Sequence, residues 1–164
     1  MTTAYISIGS NIDREKYVRA GIKALNDHFS HLTLSNVYDS ATIGFDGDPF
    51  LNLVAAFETN IEPRQVDLIL NDIENANGRT PEQKKFSSRR LDLDLILFGD
   101  YISEGPDLNI PRDEIIECAF VLEPLAEIAG DLRHPIVKKT YSEMWQTFDK
   151  SDLIQKTIEF DFNQ

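Results

Sequence analysis

The stretch RRLDLDLILFG, Arg89–Gly99, reads as a buried strand over residues 90–98 that nevertheless carries two aspartates two positions apart. Side chains at that spacing in a strand point the same way, roughly 7 Å apart at the Cα atoms. Asp92 and Asp94 therefore share one face, and Leu91, Leu93 and Leu95 take the other. Two such carboxylates repel, and burial would push protons onto them. Basic partners or divalent cations relieve that repulsion. A hard cation such as Mg²⁺ takes carboxylate oxygen, keeps several waters and shares its remaining positions with phosphates. A carboxylate pair can hold two such ions, an arrangement suited to phosphoryl transfer. An edge strand with its polar face in water is the other reading of an isolated Asp-x-Asp pair.

The residues upstream bear on that choice. Five of the sixteen Lys and Arg residues fall between Arg79 and Arg90, in RTPEQKKFSSRR, although the 164-residue chain has a net charge of −12. A net charge of that sign opposes docking on nucleic acid or an anionic membrane. A local cluster of cations can still serve a small anion. A solvated basic loop and an anion site beside a metal site are the two readings of the cluster. The loop over 79–88, dense in charge and poor in apolar anchors, is expected to close on a nucleotide.

Strands and helices extend outward from the Asp-bearing strand in a regular order. AYISIG (4–9) alternates as a first strand, GSN (9–11) reads as a turn, and Asp13 is the expected N-cap of a helix reaching Phe29. Val18, Ile22, Leu25 and Phe29 lie at helical spacing on it. Residues 32–40 and 49–59 read as strands, separated by a loop rich in Gly and Asp. Glu62-Pro63 opens a second helix whose apolar face is Val66, Ile69, Leu70, Ile73 and Ala76 and which ends near Gly78. Beyond the Asp-bearing strand, the apolar run 113–129 is expected to break at Pro124. A short helix near 140–148 and a polar tail follow. The order β-α-β-β-α-β predicts an α+β sandwich in which helices pack on an antiparallel sheet, as one domain over residues 1–164.

Composition narrows the setting. The single cysteine, Cys118, excludes an intrachain disulfide and suits a reducing cytoplasm. No segment is apolar enough to cross a bilayer, and MTTAYISIGSN lacks the basic and apolar regions of a signal peptide. Cys118 reads as inert filler rather than a nucleophile, His134 as part of a structural turn, and Trp145 as a cover for the core. Glu74 is either a solvated helix residue or an orienting partner for a loop arginine.

Taken together, RRLDLDLILFG, the opening AYISIGSNIDREKYVRAGIKAL, the segment SNVYDSATIGFDGDPFLNLV, IENANGR and the run IPRDEIIECAFVLEPLAEIAGDLRHP resemble the signatures of the 6-hydroxymethyl-7,8-dihydropterin pyrophosphokinase family of folate biosynthesis. The resemblance covers nearly the whole chain. It implies a ferredoxin-like fold, a cytoplasmic monomer, and transfer of pyrophosphate from ATP to the pterin hydroxymethyl group with release of AMP. It further implies two Mg²⁺ ions held by Asp92 and Asp94, with Arg79 and Arg89 as catalytic cations. Phe50 and Phe120 match the aromatics that sandwich the pterin ring, Asn52 matches the asparagine on its edge, and Ser40 and Ile43 fall where the loop meets the ring. Lys84, Lys85, Phe86, Arg112 and Cys118 fall on the nucleotide side.

That nucleotide side departs from the family pattern. Thr80-Pro81 follow Gly78-Arg79 where a second arginine is usual, Phe86 replaces a common tryptophan, Arg112 stands in place of a histidine, and Cys118 stands in place of an arginine. Cysteine supplies neither charge nor a directional fork. Arg112 and Arg90 are the cations available as replacements. The alternative is a diverged paralogue that binds a pterin with weak or no ATP turnover, or that acts on a related substrate.

Overall fold

The computed structural model describes residues 1–40, 48–79 and 88–163. Its centre is strand β1 (Thr2–Ser10), whose residues are buried from Ala4 onward on both faces. It is followed by helix α1 (Arg14–Phe29), strands β2 (Thr33–Leu34), β3 (Val37–Ser40) and β4 (Phe50–Thr59), helix α2 (Pro63–Ala76) and strand β5 (Asp92–Phe98). The order of these strands in the sheet is β5-β1-β4-β3, with β2 beside β4. The β1–β4, β1–β5 and β3–β4 pairings are all antiparallel. A helix thus joins two strands that flank a third, as the β-α-β-β-α-β order predicts for an α+β sandwich.

The helices lie in two layers. Val18, Ile22 and Leu25 of α1 and Val66, Leu70 and Ile73 of α2 pack with Ile6, Ile8, Leu53, Leu91, Leu93 and Leu95 on one side of the sheet. The other side carries a second core of Tyr5, Val54, Ile96 and Leu97. Residues of α3 (Glu114–Glu117), α4 (Ala119–Ala129) and α5 (Tyr141–Thr147) cover it. A register shift between β1 and β5 lets both layers use the same strand. Ile6 pairs with Leu95 but Tyr5 pairs with Leu97, so Ile96 is the extra residue of a bulge. Consequently Ile96 and Leu97 both reach the second core, and Phe98 returns to the first.

Several local expectations are revised. Asp13 occupies the N-cap of α1, but in left-handed geometry (φ 44°) and without a side-chain cap bond; its carbonyl accepts from Tyr17 N at 3.1 Å. The predicted strand 32–40 is interrupted at Ser35, which exchanges two bonds with Val54: Ser35 N to the Val54 carbonyl and Val54 N to the Ser35 hydroxyl, both 2.9 Å. The apolar run 113–129 breaks at Cys118, whose backbone is extended (φ −121°, ψ 118°), and not at Pro124. Pro124 sits inside α4, where its missing N–H forgoes one helical bond. Packing of Val121, Leu122 and Leu125 in the second core outweighs that loss. The expected polar tail instead contributes a strand, β8 (Lys156–Ile158), on the free edge of β3. A small hairpin of β6 (Ser103–Glu104) and β7 (Asn109–Ile110) stands apart from the main sheet.

Candidate active site

Register places the chemistry-bearing residues in rows across the sheet face of the second core. Asp92 lies opposite Gly9, Gly9 opposite Asn52, and Asn52 opposite Tyr38. In the next row Asp94 lies opposite Ser7, which lies opposite Val54. Ser40 lies opposite Phe50. One end of this face is covered by α4 and α5. At the other, Asp94 keeps 35% of its side chain open to solvent.

Asn52 is buried, as an amide inside an apolar strand can be only with a partner. Its Nδ2 donates to the Ser40 hydroxyl at 3.1 Å. Gly9 makes the room: a Cβ added there would stand 2.9 Å from Asn52 Oδ1 and 3.5 Å from Phe50 Cδ1. Gly9 is therefore part of the site and lies within β1, although GSN reads as a turn in the sequence. Next in the chain, Asn11 joins three segments. Its Nδ2 donates to the Asp48 carbonyl at 3.0 Å and to the Ser88 hydroxyl at 3.3 Å, while its Oδ1 accepts from Arg89 N at 2.7 Å.

The carboxylates sit in a strongly acidic neighbourhood. Glu74 of α2 is 1% exposed, and one of its oxygens accepts from Leu93 N at 2.8 Å. The other is bonded to the Arg79 guanidinium. Glu74 is thus the orienting partner of Arg79 and not a solvated helix residue. Burial, and then the Glu74 charge, push Asp92 up to about 6, against the attraction of Arg89 and Arg79. Burial, and then the Asp92 charge, push Asp94 up to about 7, partly offset by Arg112. Burial also raises Glu74 above the ordinary carboxylate range, although its bond from Leu93 N and Arg79 oppose the shift. Each of these carboxyls holds its proton more tightly than a solvated acid, chiefly because its charged form is desolvated.

Glu74→Ala is expected to cost about 2–3 kcal/mol of stability, because it strands a buried N–H at Leu93 and frees Arg79 from its partner. Glu74→Gln keeps an acceptor for Leu93 and should cost less. Urea unfolding of the two variants measures the difference.

Arg112 follows β7 and its backbone N donates to the Ile96 carbonyl at 3.1 Å. Its guanidinium grips Glu114 Oε2 through Nε and NH2, both at 2.7 Å, and stands 4.0 Å from Asp94 Oδ1. This places a half-buried cation directly beside the aspartate pair. Arg90, the other candidate replacement, turns the opposite way. Its NH1 lies 3.5 Å from the Gly78 carbonyl at the end of α2, over a glycine with φ +90°.

Arg89 is buried just before β5. Phe50 opens β4, and Phe120, in the first turn of α4, packs against the second core. Cys118 is buried in that same core between α3 and α4. His134 anchors a turn, its Nδ1 accepting from Ile136 N and Val137 N at 3.1 Å each. Trp145 packs on the second core, as expected. Ile43, Pro81, Lys84, Lys85 and Phe86 lie outside the described residues, as does nearly all of the basic loop.

The donor set suits a hard cation. Among the described residues no group of three or more His, Cys, Asp or Glu side chains is arranged to hold a metal ion. Asp92 and Asp94 offer two carboxylates on one face, which leaves most of an octahedral shell to water and phosphate oxygen. Residues missed in the sequence are Gly9 and Asn11. An asparagine directly after the first strand was the available signal for the second; Gly9 gave none until its strand partner was known.

The antiparallel sheet with helices packed on it, carrying a carboxylate pair on one strand and a glycine-floored amide two strands away, has the α+β fold that the family resemblance implies. The comparisons with known proteins agree. The family model for 7,8-dihydro-6-hydroxymethylpterin-pyrophosphokinase (HPPK) matches residues 5–130, and the chain belongs to that family. It is similar to the 2-amino-4-hydroxy-6-hydroxymethyldihydropteridine pyrophosphokinase of Aquifex aeolicus, at 32% identity over 87% of this chain and 90% of the relative. The Haemophilus influenzae protein of the same name is 37% identical over 82% of this chain and 86% of its own. Among solved structures, a triple mutant of Plasmodium falciparum HPPK-DHPS with pteroate superposes over 95% of this chain with a TM-score of 0.76. At 10% identity that likeness speaks for the fold, and the chain spans 46% of the length of that larger protein.

Proposed function

We propose that the chain transfers the pyrophosphoryl group of ATP to 6-hydroxymethyl-7,8-dihydropterin, releasing AMP, in folate biosynthesis. The observation that carries this reading is the row Asp92–Gly9–Asn52, which sets the anion-handling and ring-handling groups side by side on one sheet face. Asn52 and Ser40 supply donor and acceptor atoms to the pterin edge, which an amide and a hydroxyl can do without charge. Phe50 and Phe120 offer aromatic faces for a flat ring, with Ile43 contributing from the loop.

The substrate hydroxyl attacks the β-phosphorus and gives up its proton to water, the bond from that phosphorus to the α-phosphate bridging oxygen breaks, and AMP departs. Catalysis of this kind is mostly positioning and charge neutralisation. Asp92 and Asp94 would hold two Mg²⁺ ions, which when bound neutralise the phosphate oxygens. Arg112, already 4.0 Å from Asp94, supplies a guanidinium fork on that side. It is the replacement for the cation that Cys118 does not provide. The Arg79 guanidinium is held by Glu74 of α2, and Asn11 fixes the Arg89 backbone just before β5, which supports the two arginines as the catalytic cations. The family resemblance supports Lys84, Lys85 and Phe86 as further nucleotide-binding residues. Among the described residues no helix is long and apolar enough to cross a membrane; a cytoplasmic location is the one proposed.

The test is AMP release from ATP and Mg²⁺ with and without 6-hydroxymethyl-7,8-dihydropterin. Pterin-dependent AMP is the expected result; its absence, with pterin still bound, would mark a binding paralogue. Arg112→Ala is expected to lower kcat/KM for ATP by about 10²-fold, comparable to the loss of one preorganised donor. Arg90→Ala, which removes a side chain turned toward Gly78, should change it little.

A further inference from the structure

The segment 149–163 lies beyond the residues matched by the family model, which end at 130. It crosses the sheet edge from one helical layer to the other. Lys156–Ile158 pair with β3, Ile158 opposite Val37 and Thr157 opposite Tyr38. On the far side Ile158, Phe160 and Phe162 pack against the first core. Arg19 of α1 lies over the Phe160 ring at 4.8 Å and donates to the Asp161 carbonyl at 2.6 Å. That half of the segment covers apolar surface and a free strand edge.

The near side does something different. Just before β8, Gln155 Nε2 donates to the Ala119 carbonyl at 3.0 Å and to Glu123 Oε1 at 2.7 Å. Ala119, Glu123 and Glu127 are spaced by four along α4 and so form one stripe. Glu127 at its other end accepts from the Tyr38 hydroxyl and from Asn36 N, both at 2.8 Å. Helix α4 is therefore tied to the β3 edge at two heights, once by its own Glu127 and once by Gln155. The Gln155 tie grips the first turn, which begins after the extended residue Cys118 and carries Phe120. Pro124 denies that turn a helical bond to the Phe120 carbonyl, so the turn depends more on outside contacts. Ser40, the partner of Asn52, lies on the same strand that β8 pairs with.

We propose that Gln155 is a positioning residue for pterin binding: through β8 it holds the first turn of α4, and with it Phe120, in place over the sheet, and so sets affinity for the ring and not for the nucleotide. The inference rests on the pterin reading above. Removing the amide frees the first turn while Glu127 still holds the rest of α4. Phe120 then has to be ordered when ligand binds, and that ordering is subtracted from affinity.

The experiment is equilibrium titration with 6-hydroxymethylpterin, in Mg²⁺ and a non-hydrolysable ATP analogue, of the wild type and three variants. Gln155→Ala is expected to bind the pterin about 5–10-fold more weakly, as loss of a charge-assisted bond allows, with the affinity for the ATP analogue unchanged. Gln155→Glu sets a second carboxylate against Glu123 and should bind more weakly still. The exchanged pair Gln155→Glu with Glu123→Gln restores the side-chain bond to α4, though not the donation to the Ala119 carbonyl, and should recover part of the affinity lost in Gln155→Glu; it also decides the matter if Gln155→Ala fails to fold. Pterin affinity equal to wild type in the alanine variant would overturn the inference. So would parallel loss of pterin and nucleotide affinity, or no recovery in the exchanged pair. Wild type that binds the nucleotide analogue but no pterin overturns the pterin reading itself, and the inference with it.

Discussion

Asp94→Asn is expected to abolish turnover to within about 10⁻³ of wild type while making the metal-free protein more stable at neutral pH. The two effects have one cause. In the metal-free protein burial and the Asp92 charge push Asp94 up to about 7, and burial with the Glu74 charge pushes Asp92 up to about 6. Unfolded, both ionise near 4. Between those values the folded chain binds more protons than the unfolded one, so stability falls as pH rises from about 4 to about 8. The destabilisation is absent below the unfolded pKa and complete above the folded one. Asparagine removes one of the two charges and should raise the melting temperature at pH 8 by a few degrees, roughly the shift that 1 kcal/mol gives a chain of this length; the gain is held to that size because water reaches the 35% exposed Asp94 side chain and screens its charge. At pH 4 the same substitution should gain almost nothing. Mg²⁺ should stabilise wild type at pH 8 and do far less for the variant. Thermal unfolding at the two pH values, with and without Mg²⁺, together with the AMP assay, checks the whole set. A melting temperature of wild type that rises from pH 5 to pH 8 without metal would contradict it.

Gly9→Ala is expected to raise KM for the pterin by about 10²-fold or more, with KM for ATP nearly unchanged. The added methyl would stand 2.9 Å from Asn52 Oδ1, closer than Cβ contacts are found, so the amide has to move. Asn52 is buried and bonded to Ser40, and its retreat would break that bond or tilt the amide away from the ring edge. A site built to pair polar ligand atoms loses heavily when one of its own polar groups is misaligned. The aspartate row should remain intact, since Gly9 meets Asp92 through backbone pairing that alanine preserves. Steady-state kinetics with each substrate varied separates the outcomes; equal changes in both KM values would argue for a general distortion of β1.

The family resemblance and the periodicities were enough to place β1, β4, α1, α2 and the Asp-bearing strand. They also put Asp92 and Asp94 on one face, because a strand alternates with period two whatever it pairs with. The same local reasoning set Glu62-Pro63 at the start of α2, where Glu62 and Gln65 form a capping box. Asn52, as a polar residue in an apolar strand, announced a partner without naming it.

What remained depended on contacts between residues distant in the chain. Glu74 is a buried anchor for Arg79 only because β5 lies beside α2, and no helical pattern distinguishes that glutamate from a solvated one. Gly9 belongs to the site because β1 sits between β4 and β5 in a register that sets it against Asn52. The break at Cys118 and the survival of α4 through Pro124 follow from what the second core can bury, a balance that propensity alone misjudges. Ile96 and Leu97 both reach that core through a bulge. Alternation therefore determined by itself which residues of each strand share a face; register and packing, which act across tens of residues, decided what each face meets.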